Sequence, residues 1–245
     1  MRWFLLSLAI AGCASAGKGN SIIGGLTDAG VRGDGNDNNF PLPDASPIDA
    51  PPQQVTLTQT TSNAIAHNNS FACIVPNSGG VGFQNSYYRV FTPSDAGLTT
   101  TLHITQIAFG IESASAGTGT MQPASIKLGT YTGTLAGTTL DLSKVQPITS
   151  ANIQISDGEG TTMTVPITAD LAPAANLIVE LAIPDGTAAG NSFFIGTNTA
   201  GERKPGYTRA VACGLSNPTT MASVALTVPG SSGVADIIMT VTGTL

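Results

Sequence analysis

The chain has 245 residues, of which 10% are charged, a formal net charge of -6 and 29 glycines. Its nine lysines and arginines are scattered rather than gathered into a stripe, which excludes nucleic acid as a partner because a phosphate backbone is met by a basic face. Few charges together with abundant Gly and Thr fit an exported β protein better than a helical cytosolic enzyme, since β-branched side chains suit a pleated, half-buried surface.

The first element spans residues 1–12. Arg2 supplies one positive charge, Trp3 to Ile10 form an apolar run broken only by Ser7, and Ala11-Gly12 end it with small residues. That order reads as an export signal. The run is about half of the roughly 20 residues that a membrane-spanning helix needs, so a permanent span is not expected. Ile10-Ala11-Gly12-Cys13 resembles the lipobox of bacterial lipoproteins, whose signal is cut before the cysteine. The resemblance implies a thioether-linked diacylglycerol and an acylated amino terminus at Cys13. Two or three chains anchor stably where one is marginal, at about 0.8 kcal/mol per buried methylene, so the membrane becomes the first expected partner. Ala14 stands where enteric lipoproteins retained at the inner membrane resemble one another in carrying aspartate. Its presence favours the outer membrane of the cell envelope, facing periplasm or cell surface. The competing reading is an ordinary secretory signal with a chance cysteine.

Residues 13–54 are dominated by Gly, Asp, Asn, Ala, Ser and Pro. Such a stretch buries too little apolar surface to offset its ordering entropy and is expected to be a disordered tether, with a mean reach on the order of 35 Å. Within it, Asp34, Asn36 and Asn38 of "GDGNDNN" repeat at the spacing of the first EF-hand ligands. The pattern then fails, with Asn39 where the loop needs glycine and Ala45 where it needs glutamate. No metal and no cofactor are expected from it.

From Val55 to Leu245 short runs rich in Val, Ile, Thr, Phe and Tyr alternate with Gly, Pro, Asn and Asp: "VTLTQT", "FACIV", "YYRVF", "TLHITQIAFGIES", "ASIKLGTY", "NIQIS", "TMTVPIT", "NLIVELAI", "SFFIGTN", "SVALTV" and "DIIMTVTG". Met163, Val165 and Ile167 alternate with Thr162, Thr164 and Pro166, and Ile107, Phe109 and Ile111 alternate with Ala108 and Gly110, which predicts one buried and one solvent face. About ten strands with short turns predict an all-β domain, a two-sheet antiparallel β-sandwich of jelly-roll-like arrangement. Pro166 predicts an edge strand or a bulge. A helical turn is expected only within "AVACGLSNPTTMA".

With Cys13 lipidated, Cys73 and Cys213 remain. An even remainder in an exported chain predicts a disulfide, worth roughly 4 to 5 kcal/mol at most for its span; two free buried thiols are the alternative. Catalytic groups are scarce. His103 is expected on a strand face with Thr105 and Ile107, and His67 in an exposed turn. Gly230-Ser231-Ser232-Gly233 falls one residue short of a nucleophile elbow and precedes a strand. Asp157 and Glu159 sit two apart in a glycine-rich turn, a poor frame for paired carboxylates, whereas Glu112 and Glu180 lie in strand-like runs where they would have to meet across a sheet.

The segment least like plain scaffold runs from Phe193 to Ala222, read as a long polar loop that gathers Arg203, Lys204 and Arg209 with Tyr207 and Asn198. Long loops on rigid sandwiches carry binding groups, and Arg and Tyr are enriched among interface anchors. Asn198, Arg203, Tyr207 and Arg209 are therefore the candidate ligand-binding residues; the alternative is a loop fixed by its own amides and by Cys213. "SYYRVF", "IAFGIES", "FFIGTN-x-A-G" and "Y-x-x-x-x-x-C-G" resemble a β-sandwich module of secreted and surface proteins of Gram-negative bacteria. The resemblance covers most of residues 71–243 and implies adhesion, ligand capture or envelope structure, with no catalytic residues. The expected function is a membrane-anchored surface lipoprotein whose sandwich binds a glycan or a surface protein without catalysis. A hydrolase of envelope polysaccharide or protein with strand-borne carboxylates, and a structural envelope component, are the alternatives.

Overall fold

The computed structural model describes residues 51–225 and 234–245. The export signal, Cys13, the tether up to residue 50 with its "GDGNDNN" stretch, and residues 230–233 lie outside the described residues.

Eight strands make the frame: β1 (Gln54–Thr58), β2 (Asn85–Phe91), β3 (Leu102–Ser115), β4 (Met121–Tyr131), β5 (Val145–Ser156), β6 (Gly158–Leu171), β7 (Leu177–Ile183) and, at the carboxyl end, β13 (Met239–Thr244). The first sheet runs β1-β13-β3-β6 and the second contains β2-β7-β4-β5, with every pairing antiparallel. Counting β13 as the eighth frame strand, the orders are 1-8-3-6 and 2-7-4-5, which is the arrangement of a jelly roll. Residues from both sheets meet in one core that includes Ile107, Phe109, Val165, Val241, Tyr87, Phe91, Ile126 and Leu181. Alternation produces it: Val165 and Ile167 are buried while Thr162, Thr164 and Pro166 face out.

Pro166 sits on the end strand β6, opposite Gln106, where the β3–β6 register slips by one. Both of the positions that tolerate a missing donor coincide there. An irregularity at the same point of β3, in its pairing with β13, corrects the placement of His103. Leu102 and Ile104 are buried before it and Ile107, Phe109 and Ile111 after it, because between Ile104, opposite Gly243, and Gln106, opposite Thr242, β3 carries one extra residue that flips the parity of the strand. His103 shares the solvent face with Thr105 but not with the core residue Ile107, and its Nδ1 lies 2.7 Å from Asp170 Oδ1.

Between β7 and β13 the chain inserts β8 (Ser192–Ile195), β9 (Thr197–Asn198), β10 (Tyr207–Ala210), β11 (Leu215–Thr220), the short helix α1 (Met221–Ala225) and β12 (Asp236–Ile237). β8 adds to the first sheet on β3, β10 and β11 extend the second sheet beyond β2, and β9 pairs with β12. The expected long polar loop is therefore largely built of strands. A strand was expected from Ser223; instead Thr220 Oγ1 accepts from the Ser223 amide (3.4 Å) and the Ser223 hydroxyl bonds it (2.8 Å), capping a helical turn. "FACIV" does not form a strand either. The buried side-chain amide of Asn85 takes the Cys73 N–H (2.8 Å) and donates to the Cys73 carbonyl (3.2 Å), so a side chain replaces the ladder.

Cys73 and Cys213 form a disulfide with Cα atoms 5.8 Å apart, tying the approach to β2 to the insertion. A second tie is electrostatic. Arg89, fully buried on β2, donates through Nε to the Ile237 carbonyl (2.9 Å) and through Nη1 to the Lys204 carbonyl (2.6 Å), and Nη1 stands 2.7 Å from Glu202. Burial raises the Glu202 carboxyl above its ordinary value against the pull of Arg89. The same burial lowers the Arg89 guanidinium, opposed by Glu202 and Asp236. An ion pair this enclosed persists only when the remaining donors are satisfied, and here two backbone carbonyls of the insertion satisfy them.

Candidate functional site

The pairings place side chains in rows across the outer face of the second sheet. One row reads Tyr207, Tyr88, Glu180, Lys127, Ser150, and the next reads Arg209, Ser86, Ala182, Ser125, Asn152. Two adjacent tyrosines in "SYYRVF" cannot share a face of a strand. Tyr87 enters the core between the sheets, and Tyr88 turns outward into a second apolar cluster with Val90, Tyr131, Leu140, Ile178 and Tyr207. The connection between β4 and β5, residues 132–144, covers that cluster like a strap. It is pinned to the β11 side by Leu140 N to Pro218 O (2.9 Å) and by Thr220 N to Thr138 O (2.8 Å).

Beside the strap lies a groove of about 540 Å³ whose lining includes Tyr88, Ile178, Glu180, Lys127, Val145 and Ile148. Gly129 keeps its floor open. A Cβ there would stand 2.8 Å from both Val145 Cγ1 and Gln146 O, so glycine also lets β5 bulge between Thr149 and Pro147. Ile148, thrown out by that bulge, is 39% exposed and forms an apolar lip. The groove runs along β5, the last strand of its sheet, which pairs with β4 alone among the described strands. An end strand carries unpaired backbone N–H and C=O groups.

Glu180 is the polar centre. Its Oε1 accepts from the Tyr88 hydroxyl (3.1 Å) and its Oε2 from Lys127 Nζ (3.3 Å). Burial, reinforced by the neighbouring Glu180 carboxylate, pushes the Tyr88 phenol well above its ordinary range, so Tyr88 remains a donor at neutral pH. Among the described residues lining the groove there is no second carboxylate, histidine or cysteine. The arrangement can bind and orient a polar group against an apolar wall.

The residues singled out from sequence fall in three places. Tyr207 and Arg209 are on this outer face: Tyr207 is buried in the tyrosine cluster, and Arg209 Nε donates to the Ser216 carbonyl (2.9 Å) at its margin. Asn198 is buried at the β9–β12 pair, donating to Ser62 O (2.6 Å) and accepting from Ala200 N (2.9 Å). Arg203 is exposed at a separate cleft. The insertion does not bring the four together.

Glu112 and Glu180 do not meet, because β3 and β7 belong to different sheets. Glu112 instead accepts from the backbone amides of Asn68, Asn69 and Ser70 at 2.7, 3.2 and 2.9 Å. Asp157 accepts from Ala116 N (2.7 Å) at the bend between β5 and β6, and Glu159 lies in β6 rather than in a free turn. Tyr88, Lys127 and Ile178 had no motif to announce them. The one sequence signal was the tyrosine doublet, which requires one ring to face away from the core.

The chain matches no protein-family model, no curated protein and no solved structure.

Proposed function

We propose that this chain is a lipid-anchored envelope protein whose jelly roll binds a protein partner without catalysing a reaction on it. In this reading Cys13 carries the lipid, the residues up to 50 act as a spacer, and the partner contributes an extended segment to the groove of the second sheet. The lipobox-like Ile10-Ala11-Gly12-Cys13 supports the anchor. The observation that carries the binding role is an apolar groove of about 540 Å³ lying along β5, whose outer edge pairs with no described strand. A segment adding to that edge gains main-chain hydrogen bonds and sends alternate side chains toward the groove. Ile148 and Val145 supply the apolar contact, and Glu180 and Lys127 fix polarity and register. Sugar stacking is less suited to this groove, because Tyr88, the aromatic residue in its lining, is buried.

Two experiments test the two halves. Cys13→Ser is expected to move the protein out of the membrane fraction; a variant still in the pellet contradicts the anchor. Peptides of eight residues selected on the full-length chain from a random library are expected to lose at least tenfold in affinity with Ile148→Glu and to be unaffected by Thr164→Glu on the other sheet. Equal losses, or none with Ile148→Glu, contradict the groove.

A further inference from the structure

We propose that the cleft formed by β1, the turn after β2 and the Arg203–Lys204 pair binds a single acidic sugar residue, a uronic acid, through its carboxylate. The cleft has a volume of about 250 Å³ and shares no lining residue with the groove, so the inference does not rest on the reading above. Its walls carry the hydroxyls of Thr56, Thr58 and Thr92, and Leu57 and Phe91 form its apolar part. Its cations are consecutive in sequence and are anchored through their backbones. The Arg203 amide donates to Gln59 O (2.7 Å), and the Lys204 carbonyl accepts from buried Arg89 (2.6 Å).

The two side chains differ in how far they are already engaged. Lys204 Nζ is paired with Asp95 and donates to Thr92 Oγ1 (2.8 Å), which leaves one of its three N–H donors. Arg203 is exposed, and no described residue accepts a hydrogen bond from its guanidinium. Its five N–H groups in a planar fork match a carboxylate in bidentate fashion.

Charge distribution makes this cleft unusual for the domain. From residue 51 onward there are ten Asp and Glu against six Lys and Arg. One of those six is buried Arg89, and two of the other five stand side by side here. Asp95, in the same lining, offsets Lys204, so the cleft keeps one uncompensated positive charge, on Arg203, and an anion is the ligand it attracts. The threonine walls select further. Thr92 and Thr58 already donate, to Asn176 Oδ1 (2.6 Å) and to the Thr60 carbonyl (3.3 Å), and Thr56 shares a bond with the Thr242 hydroxyl (3.1 Å). What the walls still offer is therefore acceptor lone pairs, which suit the hydroxyl donors of a sugar ring and not a bare oxyanion, and the small volume suits one sugar unit rather than a folded partner.

The test is titration of the detergent-solubilised full-length chain with glucuronate, glucose and inorganic phosphate, followed by calorimetry. Glucuronate is expected to bind saturably, at least tenfold more tightly than either of the others, and to weaken as salt screens the exposed cation. Arg203→Ala is expected to reduce glucuronate affinity at least tenfold while leaving thermal melting unchanged, because its side chain supports nothing in the fold. Arg203→Lys, which keeps charge without the fork, is expected to fall between them. Glucose binding as well as glucuronate would overturn the anion requirement. Phosphate binding as tightly as glucuronate would overturn the sugar. An Arg203→Ala variant that binds normally would overturn the site. Ile148→Glu, which disables the groove, is expected to leave glucuronate binding intact, so failure of either reading is recognisable separately.

Discussion

The two sheets share one core but present opposite outer faces. On the first sheet the outward positions of β1, β13 and β6 are Thr56, Thr58, Thr240, Thr242, Thr162 and Thr164, with His103 paired to Asp170; Thr56 and Thr242 bond each other through their hydroxyls (3.1 Å). On the second sheet the outward positions include Tyr88, Val90, Ile178 and Tyr207, all buried with Leu135, Leu140 and Leu142 of the 132–144 strap. Both faces follow the same alternation. What separates them, among the described residues, is whether another segment packs on top. An uncovered face stays polar and contributes little to stability, whereas a partly covered one becomes a second core with an edge left open, and that open remainder is the groove.

This contrast sets the order of expected effects. Tyr88→Ala removes a ring from the second core and is expected to lower unfolding free energy by about 3–5 kcal/mol in denaturant titration, the cost of an aromatic deletion in a closely packed site. A loss under about 1 kcal/mol would show that the outer cluster is not a core. Glu112→Gln, which weakens the charged acceptor for three backbone amides, is expected to cost about 1–3 kcal/mol and to expose residues 62–70 to proteolysis first.

A smaller effect is expected from Glu202→Gln, and it depends on pH. Burial raises the folded-state carboxyl above its ordinary value of 4.5, so the folded chain binds this proton more tightly than the unfolded chain does. The stabilisation is fully present below the unfolded value and is lost as pH rises through the folded one. Melting curves from just below the ordinary carboxylate range to neutrality should therefore show the wild type losing stability relative to Glu202→Gln as pH rises. The opposite slope would mean that Arg89 outweighs burial. Smallest of all, Thr164→Ala on the uncovered face is expected to stay within about 0.5 kcal/mol of the parent.

The jelly-roll frame was legible in the sequence because period-two alternation is a local property: Met163, Val165 and Ile167 against Thr162, Thr164 and Pro166 suffice to orient β6. The cysteine parity likewise led to the Cys73–Cys213 bond. The insertion was not legible for the opposite reason. Its strands β9 and β10 are short, and much of what holds them is distant in sequence. Arg89 reaches Ile237 across 148 residues and Lys204 across 115, so its polar composition read as an open loop. The His103 placement failed at a one-residue bulge, which composition does not mark. The groove escaped because it is defined by what the strap leaves uncovered, and only the tyrosine doublet hinted that the second sheet needed a cover.

The comparison of faces reduces to a site-specific crosslinking measurement on cells that carry the full-length chain. A photo-activated crosslinker replaces Ile148 at the groove lip in one strain and Thr164 on the uncovered face in another. Protein adducts are expected at position 148 and not at position 164. Adducts of equal yield at both positions, at 164 alone, or at neither would contradict a binding face on the second sheet.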